Sequence, residues 1–129
     1  MSIFLRVILL QILLVFAQFA QGQTGPTQTL VVNWNLVGNN STSALDPITV
    51  FGNATSPVTG ISDQILTVWK WDAASANWMF FAPSLDAPGL TAYAASKTYG
   101  VMSSIASGDG YWVNAKAPFP ITLPGAIQA

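Results

Sequence analysis

The sequence predicts a mainly β domain: a compact antiparallel β-sandwich or partly open barrel with one short helix at about residues 90–99. Three observations lead there. Apolar residues alternate with polar ones over short runs, the period that puts successive side chains on opposite faces of a strand. Clusters of Gly, Pro, Asn and Asp separate those runs at short intervals. Only one stretch has its apolar and alanine residues at helical spacing, and 12% aromatic content supplies large side chains for a core.

The N-terminus carries Arg6 as its one early cation, followed by an apolar run from Val7 to Phe16. This is the pattern of a signal-peptide h-region. Small residues at Ala20 and Gly22 predict cleavage before Gln23, giving a leader at residues 1–22. The alternative is an uncleaved anchor, since residues 3–20 approach the shortest spanning length of ~17 residues; Arg6, Gln11 and Gln18 interrupt it. Residues 23–28 read as a flexible lead-in around Gly25 and Pro26, and residues 29–129 as one domain.

From Thr29, the residues Leu30, Val32, Trp34 and Leu36 alternate with Val31, Asn33, Asn35 and Val37, which predicts one strand with an apolar face. Gly38 to Ser41 break it, and Asp46-Pro47 precedes a β-branched run at residues 48–51 that reads as a second strand. Residues 54–63 form a polar loop. The strongest local signal is a β-hairpin over residues 65–81, with Asp72 and Asn77 placed to bound its turn. Period two assigns Trp69 and Trp71 to the face of Ile65, the expected core face. Leu90, Tyr93, Ala94 and Lys97 recur at helical spacing, with Gly100 as the expected C-terminal cap. Residues 101–105 suggest a strand, Gly108-Asp109-Gly110 a turn and residues 111–115 a further strand. Pro118, Pro120 and Pro124 confine the tail to an edge.

Charge narrows the functional classes. Beyond the expected leader, three lysines face five aspartates, a net charge of −2, and the whole chain is only 7% charged against about 25% for a typical soluble domain. Lys70, Lys97 and Lys116 are scattered and provide no phosphate-neutralising patch, so nucleic acid is not an expected partner. Surfaces so poor in charge tend to associate. With no cysteine, the fold must stand on packing alone.

The chain has no histidine, cysteine or glutamate, which removes Ser-His and Cys-His catalysis and the nitrogen and sulfur ligands of zinc and copper. Each aspartate sits beside a turn residue or at the end of a run, so turn formation explains them better than an acid/base pair. Asp109 between two glycines offers a single carboxylate, too little for calcium. No catalytic residue, metal site or cofactor is expected.

Three blocks occur in order: Trp69-Lys70-Trp71-Asp72, then Asn77-Trp78-Met79-Phe80-Phe81-Ala82-Pro83-Ser84-Leu85, then Gly108-Asp109-Gly110-Tyr111-Trp112-Val113-Asn114, with Tyr93 and Lys97 between and Asn33 to Gly38 leading. Together they resemble a Trp-rich module of exported proteobacterial proteins that has no assigned activity. The likeness implies export and a β fold. In a bacterial exported protein the Asn-x-Ser/Thr matches at Asn39, Asn40 and Asn53 would mean little. The hairpin also resembles part of a kelch blade, but one such unit cannot close a propeller.

Five tryptophans remain to be placed: Trp34, Trp69, Trp71, Trp78 and Trp112. Core packing is the expected role, because a cysteine-free domain of this size must bury large side chains. A sugar platform is the alternative, since a flat ring stacks on an apolar pyranose face and indole adds an N–H donor. The candidate ligand-binding residues are Trp78, which adjoins the turn, Trp71, Tyr111 and Trp112. The expected function is a non-catalytic secreted or cell-surface module that associates with itself or with an envelope or matrix protein. The alternative is a carbohydrate-binding module. No membrane contact is expected once the leader is removed.

Overall fold

A computed structural model describes residues 27–122. The expected leader at residues 1–22, most of the lead-in and Pro124 lie outside the described residues. The fold is mainly β, as the sequence predicts. It has a two-stranded sheet of β1 (Thr27–Leu30) and β7 (Phe119–Thr122), and a five-stranded sheet. The latter contains β2 (Asn33–Gly38), β3 (Ile65–Asp72), β4 (Asn77–Phe81), β5 (Gly100–Val101) and β6 (Gly110–Ala115), in the order β2-β6-β3-β4-β5. All pairs are antiparallel except β4 with β5, which is parallel. The arrangement is compatible with a sandwich and closes no barrel. Two helices, α1 (Pro47–Phe51) and α2 (Ala87–Ser96), complete it.

Several elements differ from expectation, each for a local reason. The single strand expected from Thr29 is two strands, β1 and β2, which belong to different sheets. Asn33 takes a positive φ of 72° at the break, a conformation asparagine tolerates better than most residues. The Asn35 side chain closes the gap: its Oδ1 accepts from the Val31 N–H at 2.8 Å and its Nδ2 donates to the Val31 carbonyl at 2.9 Å. The break shifts the phase, so Val37 is buried while Trp34 and Leu36 face out.

The expected strand at residues 48–51 is helix α1. Asp46 caps it by accepting from the Ile48 N–H at 3.1 Å, and Pro47 supplies a preset helical φ in the first turn. These start signals outweigh the β preference of Ile48, Thr49 and Val50. Gly52 ends the helix at φ 74°; a Cβ there would lie 2.2 Å from Ser62 Oγ and 2.5 Å from the Val58 nitrogen, so only glycine fits.

The second helix spans Ala87–Ser96 rather than residues 90–99. Asp86 sets its start by accepting from the Gly89 N–H at 2.7 Å, and Thr98 at φ 62° turns the chain out before Gly100 is reached. Gly100 is instead in β5, where a Cβ would come within 2.5 Å of Met79 Sδ. Of the strand expected at residues 101–105, only Val101 is in β5, and Ile105 forms an isolated bridge to Leu45.

The hairpin forms where expected, with Asp72 and Asn77 paired at the ends of its turn. A bulge between Ile65 and Thr67, however, inserts one extra residue against β6. Side chains alternate with a period of two, so a one-residue insertion sends everything after it to the other face. Ile65 and Val68 therefore point into the core, and Trp69 and Trp71 point out of it. The expected placement of these two tryptophans on the face of Ile65 is corrected on this ground; Trp71 is exposed, while Trp69 stays partly buried among neighbouring rings.

The core lies on the opposite face of the large sheet. Val37, Val68, Phe81, Tyr111, Val113 and Ala115 pack with Phe51, Leu45 and Ile105, and Leu30 and Ile121 of the small sheet join the same cluster. Phe51 is its centre, with ring centroids 6.3 Å from Phe81 and 6.2 Å, edge-on, from Tyr111. Lys70 ties β3 to the turn before β6 through Asp109 at 3.1 Å and the Ser104 carbonyl at 3.0 Å.

Candidate functional site: an open aromatic face

Cross-strand partners share a face, so the registers define what the outer side of the large sheet presents. Its central row runs Leu36, Trp112, Trp69, Phe80. One step along the strands, in opposite directions, lie the rows Trp34, Asn114, Thr67 and Trp71, Trp78. All five tryptophans therefore stand on this one face. At its β4 margin Phe80 is covered by Tyr93 of α2, 5.1 Å between centroids, and by Tyr99, 6.0 Å.

The rest of the face is open. Trp34 is 53% exposed, Trp71 51%, and Trp78 and Trp112 38% each, far more than core packing allows. A groove of about 420 Å³ runs across it, lined by Trp34, Trp112, Trp69, Trp78 and Tyr99. Its size is typical of a small-ligand site. None of the lining residues is charged.

The rings hold one another edge to face. Trp69 meets Trp78 at 6.3 Å and 89° and Tyr99 at 4.9 Å and 86°; Trp71 meets Trp78 at 5.4 Å and 71°. These geometries suit the positive ring edge and negative ring face, and each contributes ~0.5–1.5 kcal/mol. Trp69 is fixed further by its indole N–H, which donates to Thr67 Oγ1 at 3.0 Å. The Asn114 amide and the other four indole N–H groups make no hydrogen bond to a described residue. The site thus offers apolar faces with polar donors beside them.

Of the candidates from sequence, Trp78 and Trp112 line the groove and Trp71 stands at its rim against Trp78. Tyr111 does not join them: it belongs to the inner face, is 1% exposed, and burial raises its phenol well above the ordinary tyrosine value. Trp34, Trp69, Tyr99 and Asn114 were not among the candidates. For Trp69 alone a signal was available, since the apolar residues Ile65 and Val68 lie three apart, a spacing that puts both on one strand face only where an extra residue intervenes.

The aspartates are engaged in local structure. Asp46 and Asp86 cap the two helices, Asp72 accepts from the Ser75 hydroxyl and Asp109 from the Ala106 N–H; Asp63 lies in the turn before β3. The Asp72 carboxyl is held below its usual range, chiefly by the Ser75 hydrogen bond. Among the described residues no cluster of three or more metal-ligating side chains occurs, and no helix is long and apolar enough to cross a membrane. Comparison with known proteins finds no matching family model, no matching curated protein and no matching solved structure.

Proposed function

We propose that this protein is a non-catalytic binding module, exported to the cell surface or beyond, whose open aromatic face takes a neutral carbohydrate. One observation carries the reading: all five tryptophans lie on a single sheet face, four of them well exposed, around an uncharged groove. Leaving so much indole in water forfeits roughly 25 cal/mol for every Å² of apolar surface not buried. A ligand with an apolar face recovers that term on binding.

Neutrality favours sugar over other partners. An anionic ligand would need cations in the groove, and the lining has none; a cation held on ring faces alone would fill one cage of rings, whereas this lining draws on four successive strands of the sheet. A pyranose offers apolar C–H faces to the rings and a rim of hydroxyls to the free indole N–H groups and the Asn114 amide. The reading is tested by tryptophan fluorescence against a broad panel of soluble neutral glycans. Quenching that saturates supports it, and a flat response across the panel rejects it.

The same face could instead pair with a second copy of the chain, which is the self-association expected from the low charge. Light scattering decides between the two: a monomer at high concentration that binds glycan upholds the carbohydrate reading. A dimer whose tryptophans become accessible only on dilution upholds the other.

A further inference from the structure

We infer that the groove holds one extended chain of several neutral sugar units, lying obliquely across the strands, and that it does not grip the flat surface of a crystalline polysaccharide. This deepens the carbohydrate reading above and rests on it.

The first ground is the path of the groove. Each successive strand of the sheet contributes one ring: Trp34 from β2, Trp112 from β6, Trp69 from β3, Trp78 from β4, and Tyr99 from the residue before β5. The registers make this a diagonal. Trp34 stands in the row of Thr67, Trp112 and Trp69 share the next row, and Trp78 stands in the row of Trp71. With strands ~4.8 Å apart and ~3.4 Å per residue along each, the span from Trp34 to Trp78 is about 20 Å at the backbone. That is several times the width of a single sugar ring.

The second ground is ring orientation. A crystalline polysaccharide presents a plane, and gripping it requires coplanar rings. Around β3 Trp69 stands nearly perpendicular to both of its ring neighbours in the groove, at 89° to Trp78 and 86° to Tyr99. Trp69 therefore shares a plane with neither, and the middle of the track presents a wall where a flat surface would need a continuous floor.

The third ground is polarity. Asn114 stands between Trp34 and Thr67 in register, beside the β2 end of the diagonal, with its amide free of other described residues. An amide on one side of an apolar track can bond a hydroxyl repeated along a chain, and so fixes which way the chain runs.

The test is titration of tryptophan fluorescence with cello-, xylo- and manno-oligosaccharides of one to six units, alongside retention on microcrystalline cellulose and titration with a proline-rich peptide. The expected result is an affinity in one sugar series that rises at least tenfold from disaccharide to hexasaccharide, with little retention on the crystalline polymer. Trp34→Ala and Trp78→Ala, at opposite ends and both exposed, are each expected to weaken hexasaccharide binding roughly tenfold with the far-UV profile unchanged; Trp34→Ala leaves thermal unfolding unchanged, and Trp78→Ala, which loses two ring contacts, still unfolds in one cooperative transition. A monosaccharide bound as tightly as the hexasaccharide, retention on cellulose without binding of soluble oligosaccharides, or both end variants keeping full hexasaccharide affinity would overturn this inference and leave the carbohydrate reading standing. Binding of the peptide alone, or of no probe, overturns both.

Discussion

The two faces of the five-stranded sheet are both apolar, yet they are built from different residues. The inner face uses Val37, Val68, Val113 and Ala115 with the rings of Phe81 and Tyr111, all nearly inaccessible. The outer face carries Leu36 and the five tryptophans, with no second layer over most of it among the described residues. The contrast teaches that hydrophobicity does not by itself mark a core. Compact β-branched residues fill an interior to close packing with few rotamers to lose. Indole combines a broad apolar face with an N–H donor, and suits a surface that must stay wet until a ligand arrives.

The largest expected effect comes from Phe51→Ala, which empties the centre of the inner face. It should cost ~3–5 kcal/mol and lower Tm by on the order of 10–20 °C for a domain of this size.

The outer face should respond in the opposite manner. Trp112→Ala is expected to change stability much less than Phe51→Ala while weakening glycan binding by ~2 kcal/mol or more, about 30-fold. Calorimetric unfolding and titration on the same sample separate the two. A smaller effect distinguishes the faces by pH. Burial holds the Tyr111 phenol neutral and raises its pKa in the folded state. The stability this contributes is present in full below the ordinary tyrosine value of about 10 and is lost as pH rises beyond it. Tyr111→Phe should therefore flatten the alkaline limb of the stability profile, measured as Tm against pH.

Much of the fold was legible because it rests on local signals. The hairpin of β3 and β4, the strand β6 and the turn at Gly108 follow from alternation and turn chemistry that neighbouring residues decide. Helix α1 was misread although Asp46-Pro47 is a start signal, because Ile48, Thr49 and Val50 carry a β preference that capping outweighed. The site was less legible because it depends on phase. A break at Val31 and Val32 and one extra residue at Leu66 reverse the facing of Trp34, Trp69 and Trp71, while Trp78 and Trp112 belong to strands without such faults. Alternation read through a bulge gives a confident face and the wrong side of the sheet. Tyr99 could not be found by alternation at all, since it joins the groove from just outside β5.

The most direct test of the account is the solvent accessibility of each indole in the free protein. Assigned indole N–H signals would be recorded with a water-soluble paramagnetic probe. The account predicts strong broadening for Trp34, Trp71, Trp78 and Trp112, with weaker broadening for Trp69, whose N–H is engaged by Thr67. Uniform protection of all five in a monomer would contradict it, since the tryptophans would then be interior and the outer face would present no site.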